Sequence, residues 1–348
     1  MVWRQRREIR HEEVTLTRPA LWLALALAMI SAGLTACTTP SAPSGPRVSE
    51  LPPPPVPAEN PSTPDKVALG KQLFFDKRLS GDGTAACESC HVREKGWTDG
   101  EVLSVRPGGV RNTRHSPTLY NVAYLTSWYW DGRAPTLERQ VAAAWAVQMN
   151  ADTAKVTETI AAVPGYRVQF EKVFGGPPTP ERVAMALAAY LRTLNSGDSP
   201  WDLYEKGQRG AVSADAVDGY ALFIGKGRCV VCHTPPLYSD SLFHNIGLEY
   251  GKEKPDPGRA NVTKETKDTS AFKTPTLRSI AISQPYFHDG SVKTLEEAVR
   301  YMAGGGKPDP NKDLLLTPTG LSDQEIAKIV AFLTALTSTE PLVKPTLP

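Results

Sequence analysis

The chain has 348 residues, 41% of them hydrophobic and 22% charged. That length suits about two domains, and that apolar content suits a packed core. Thirty-nine lysines and arginines against 37 aspartates and glutamates leave a net +2, which gives no electrostatic case for nucleic acid as a partner.

In chain order, the first segment reads as an address, not as fold. Arg4, Arg6, Arg7, Arg10 and Arg18 precede an apolar run over 20–36, short for a membrane span. It ends in Leu34-Thr35-Ala36-Cys37, which resembles the lipobox of bacterial lipoproteins. The expectation is a lipoprotein signal peptide over 1–37, with Cys37 lipidated and the body held in the periplasm by that lipid anchor alone. An uncleaved membrane anchor is the alternative, and it leaves the body on the same side. Residues 38–63 are rich in proline and serine, a composition that predicts an extended, solvated linker.

A helix is predicted from Pro64, where Ala68, Leu69, Leu73 and Phe74 recur at helical spacing. A glycine turn (81–83) leads to Cys87-Glu88-Ser89-Cys90-His91, and a Gly-, Pro- and Arg-rich stretch (96–117) follows. Loops of that length inside a domain usually serve function. Helices are predicted over 136–147, 153–163, 164–174 and 180–194, the last with Pro180 at its start. A second unit begins near Ser199. Its helix over 213–226, with Ser213 as N-cap, leads to Cys229-Val230-Val231-Cys232-His233. LEEAVRYM reads as a helix carrying Met302, and the closing helix, 322–336, opens on a capping box of Ser322 and Glu325. No stretch alternates convincingly as strand. The expected fold is mostly α: two cytochrome c-like domains with long loops, 64–198 and 199–348, built as an internal duplication.

A Cys-x-x-Cys-His run is the attachment signature of c-type haem: both thiols add to the porphyrin as thioethers, and the histidine ligates the iron. Zinc ribbons place their cysteine pairs about 15–20 residues apart, far closer than these. A thioredoxin-like pair needs a βαβ context that is lacking around Cys87, and a pair of disulfides leaves both histidines unexplained. Five cysteines are present; four belong to the runs and Cys37 to the lipid. Two covalently bound haem c groups are therefore expected, on Cys87, Cys90 and His91 and on Cys229, Cys232 and His233.

What stands opposite each histidine decides the chemistry. Met302 is the candidate for the second iron, where a thioether would raise the reduction potential; core filler is the alternative. The first iron has no comparable candidate. His115, in the wrap that follows, suits a propionate or backbone partner better than a ligand.

From about residue 64 to 336 the chain resembles the bacterial dihaem cytochrome c peroxidases and the related MauG enzymes. The motifs that carry the likeness are LGKQLFFDKRLSGDGTAACESCH, RHSPTLYN, YWDGRAPTLERQ, FKTPTLRSIAISQPYFHDG and LEEAVRYM. The resemblance implies a peroxide-reacting haem at His91 and a high-potential haem at His233 with Met302 as distal ligand, where MauG has tyrosine. It implies that Trp130 relays electrons between the haems and that Gln140 belongs to the peroxide pocket.

Three positions depart from the family pattern. Pro107 replaces a histidine that caps the resting first haem in many of these peroxidases, which implies an iron open without reductive activation. Gln148 replaces the distal glutamate, and an amide cannot shuttle a proton as a carboxylate does; Asp152 or a chain of waters is the expected substitute. His115 stands where the family calcium site uses asparagine, with carbonyls at Ser283 and Pro285. An imidazole is a poor ligand for a hard cation and argues against calcium, although Asn112 is close in sequence.

The expected activity is therefore reduction of hydrogen peroxide to water with electrons from a small donor protein, a cytochrome c or a cupredoxin. The alternatives are a MauG-like oxidase that modifies residues of a partner protein, suggested by Pro107 and Gln148, and a non-catalytic electron carrier. A homodimer is compatible with the resemblance.

Overall fold

The structure is a computed structural model that describes residues 48–338 and 341–348. The expected signal peptide and the lipidated Cys37 lie outside these residues. Among the described residues no helix is long and apolar enough to cross a membrane.

The helices form where their caps say they should. They are α1 (Pro64–Phe75), α2 (Leu137–Val147), α3 (Thr153–Ala162), α4 (Pro164–Phe174), α5 (Pro180–Leu191), α6 (Pro200–Glu205), α7 (Ala214–Ile224), α8 (Ala260–Thr263), α9 (Leu295–Ala303) and α10 (Asp323–Ala335). Thr63, Thr136, Asp152, Thr179, Ser199, Ser213, Thr294 and Ser322 each accept a bond from a first-turn backbone N–H. Sheet among the described residues is confined to an antiparallel pair, β1 (Phe243–His244) and β2 (Phe272–Lys273), with Phe243 opposite Lys273. The mostly helical class is as expected.

Two hydrophobic clusters form the interior. One draws its buried residues from 69–194 and centres on Leu69, Leu73, Phe74, Trp145, Leu187 and Tyr190. The other draws them from 201–336 and centres on Trp201, Phe223, Tyr238, Ile329 and Phe332. Each contains a helix pair that crosses at a glycine. A methyl on Gly70 of α1 would lie 1.9 Å from the carbonyl oxygen of Ala186 in α5. A methyl on Gly219 of α7 would lie 1.9 Å from that of Lys328 in α10. In both halves the glycine-bearing helix is the one that feeds the Cys-x-x-Cys-His run, so the duplication extends to the packing.

The segment before α1 is not the free linker that its composition predicts. Ser49 and Asn60 are each 1% exposed. Ser49 donates to Glu205 from both its backbone N–H (3.0 Å) and its hydroxyl (3.2 Å), and its carbonyl accepts from Arg278. Asn60 donates to Glu138 Oε1 (2.8 Å) and the Met185 carbonyl (2.9 Å). Proline keeps this segment extended, but two short polar side chains fasten it to both clusters.

Candidate haem and peroxide site

Each run folds into the same turn. His91 N–H donates to the Cys87 carbonyl (3.1 Å), and His233 N–H donates to that of Cys229 (2.9 Å). All four cysteines are unpaired. Burial pushes the Cys87 thiol up to about 12 and the Cys90 and Cys229 thiols up to about 11, so they stay protonated and do not repel one another.

The imidazoles are fixed in the same way. His91 Nδ1 bonds the Trp97 carbonyl at 2.8 Å, and His233 Nδ1 bonds the Tyr238 carbonyl at 2.8 Å. Nδ1 must be the donor, so in each ring Nε2 keeps its lone pair for a metal. Burial pushes both imidazoles below their ordinary value, which holds them neutral. The two carbonyl providers are buried aromatics in the left-handed backbone region, Trp97 at φ 61° and Tyr238 at φ 53°. Bulky residues rarely adopt that conformation, and both do so one loop after a haem run.

A cavity of about 900 Å³ adjoins the first run. Cys87, Cys90, His91, Pro107, Trp130, Gln140 and Gln148 all line it, so the structure brings these sequence-picked residues together. On α2 and its C-cap, the row Gln140, Ala144 and Gln148 is spaced at i, i+4 and i+8 and meets the cavity, with the small Ala144 leaving room between two amides. Arg106 Nη1 donates to the Val147 carbonyl (3.2 Å), which holds the Pro107 turn against the end of this helix.

The residues present fit a haem at this place. The walls are largely apolar, and Ser104 Oγ, Arg106 Nε, His115 Nε2 and Gln148 Oε1 border the cavity, buried and without a hydrogen-bond partner. Buried polar atoms are normally satisfied, so these belong to a site that a polar-edged guest completes. At the second run His233 is oriented in the same way, and Cys229 and Cys232 are in no disulfide, as attachment of a second haem requires. His115, Ser283 and Pro285 all line the cavity, and the buried His115 imidazole bonds the Glu101 carbonyl through Nδ1 (2.8 Å).

Trp130 stands where the two halves meet. Its indole N–H donates to the His115 carbonyl (2.9 Å), its own carbonyl accepts from Lys273 N–H (2.8 Å), and its ring meets His288 edge-on with centroids 6.4 Å apart. Next to it, Asp131 binds Arg114 (2.7 Å), and Arg114 also grips Asp256 (2.7 Å), joining the two halves through one cation. Met302 lies half-buried on the last turn of α9. It is three residues beyond Val299, which packs on the second cluster with Cys229, so the two share a helix face.

Asp152 does not line the cavity; its carboxylate caps α3 by accepting from Lys155 N–H (3.3 Å). It is a helix cap and not the substitute for the missing glutamate. Sequence reasoning missed Trp97, Tyr238 and Lys273. The first two act through backbone carbonyls, and a lone lysine in a short polar stretch carries no signal.

Taken together, these features define a mostly helical protein with two Cys-x-x-Cys-His runs, each carrying a histidine oriented by a backbone carbonyl. A profile of the di-haem cytochrome c peroxidase family matches residues 64–210. The cytochrome-c peroxidase IdrP1 of Denitromonas iodatirespirans is 40% identical over 92% of this chain and 94% of its own length. The methylamine utilization protein MauG of Methylorubrum extorquens is 41% identical over 81% of each chain. The crystal structure of a MauG-like protein associated with microbial copper homeostasis superposes with a TM-score of 0.78 at 31% identity, over 86% of this chain and 96% of the other. The chain belongs to the di-haem cytochrome c peroxidase family and is an oxidoreductase.

Proposed function

We propose that the protein reduces hydrogen peroxide to water at the His91 site, drawing electrons one at a time from a small periplasmic donor protein, a cytochrome c or a cupredoxin. One peroxide takes up two electrons and two protons and leaves as two waters. Bound haem supplies the redox chemistry. The observation that carries the reading is that Pro107, Gln140 and Gln148 share one cavity with His91: proline cannot ligate, and the amides can orient peroxide. Gln148 lines that cavity, and its Oε1 is buried without a hydrogen-bond partner. His91 and His233 would each hold an iron, Met302 would be the second protein ligand at the His233 iron, and Trp130 would lie on the electron path between the two. Domains 64–198 and 199–348 each carry one haem, and Cys37 anchors the protein in the periplasm. The test is oxidation of a reduced cytochrome or cupredoxin by the purified holoprotein. Peroxide-dependent turnover supports the reading, and its absence rejects it.

The Gln148 position supports a second reading, a MauG-like oxidase acting on residues of a partner protein. Gln148 presents an amide on the cavity wall where rapid cleavage of peroxide calls for a carboxylate. This reading expects slow turnover with small donors and covalent change in a protein substrate, detectable by mass spectrometry.

A further inference from the structure

Lys273 is a buried cation with too few partners. It is 8% exposed, sits in β2 and lines the cavity beside the first run. Its Nζ donates to the Ser127 carbonyl (2.7 Å) and makes no ion pair among the described residues. Asp131 is the carboxylate that acts on it electrostatically, but the Asp131 oxygens are bonded to Arg114 and Arg133. An ammonium has three N–H donors, and a buried one is stable only when paired. Burial pushes this amine down to about 8, as expected of a cation that lacks its counter-charge.

The missing anion has to come from the cavity side. The guest that fits the cavity is a porphyrin, and a porphyrin of the haem type carries carboxylates on its edge. We infer that Lys273 is the counter-ion of a carboxylate on the porphyrin held by Cys87 and Cys90. This rests on the reading that the cavity holds a haem. The backbone N–H of Lys273 is bonded to the Trp130 carbonyl, so the strand that carries this charge is held beside the proposed electron path. A fixed cation there favours the reduced form of the nearby iron, so Lys273 is a positioning and tuning residue, not a catalytic one.

The test compares holoprotein K273M and K273R with the parent, by potentiometric titration of both haems and by resonance Raman spectroscopy of the propionate bending modes. K273Q serves if K273M does not fold. The expected result is a lower reduction potential at the first haem in K273M, recovery in K273R, a shifted propionate mode in K273M alone, and no change at the second haem. Potentials and modes unchanged in K273M, or shifted equally at both haems, would overturn the inference. So would a shift that varies with added chloride or phosphate, which would mark a free anion as the partner. Haem content is measured alongside: fewer than two haems per parent chain would overturn the haem reading itself, whatever Lys273 does.

Discussion

Gln148 and Met302 are the residues on which the chemistry turns. Gln148 occupies the cavity wall with an amide where proton transfer calls for an acid. Q148E supplies that acid, and its expected effect is a rise in peroxide turnover on the order of 10²-fold, read in steady-state assays. If turnover stays flat, proton delivery follows another route. Met302 is argued from chemistry: replacing a thioether ligand removes what raises the potential of the second iron. M302L should lower that potential and cut donor-dependent turnover at least about tenfold, equivalent to ~1.4 kcal/mol of barrier. An unchanged potential would make Met302 core filler.

At the scale of elements, most helices were legible because their ends are written in caps. Pro164 opens α4 as expected, and Ser322 with Glu325 opens α10. The helix predicted to reach residue 194 stops at Leu191, because Thr193 and Leu194 turn back to bond the Tyr190 and Leu191 carbonyls. The short α6 was missed, although its Ser199 cap and Pro200 were both in view. The imidazole-orienting loops were not legible at all. They depend on left-handed backbone at Trp97 and Tyr238, where propensity predicts none. The haem runs, by contrast, were plain, since covalent attachment needs that spacing and residue order. The glycine crossings give the element-scale prediction: G70A or G219A forces a methyl into a carbonyl of the facing helix and should cost about 1–3 kcal/mol in denaturant unfolding. A neutral result would mean the crossing relaxes freely.

Across the whole molecule, the two halves are tied together by ion pairs beside Trp130. Arg114 is the joint, and R114A leaves Asp131 and Asp256 without it. The expected loss is about 3 kcal/mol of stability, with slower electron transfer between the haems in stopped-flow mixing while each haem keeps its own spectrum. Glu249 gives the pH dependence. Burial pushes its carboxyl up, but His288 (2.8 Å), Lys252 (2.6 Å) and the Asp256 N–H (2.7 Å) together pull it down to about 2. A carboxylate with a depressed folded-state value stabilises above its unfolded value near 4.5, and that stability is lost as pH falls from there toward 2. E249Q should be less stable at neutral pH and should lack its share of that acid slope in thermal melts.

The central claim is that two matching attachment runs hold unequal irons, one open and one closed by Met302. Electron paramagnetic resonance of the oxidised holoprotein tests it most directly. The account predicts one high-spin and one low-spin ferric signal, with the high-spin signal disappearing on addition of one equivalent of peroxide. Two low-spin signals that ignore peroxide would contradict it, point to His115 as a ligand of the first iron, and leave an electron carrier in place of an enzyme.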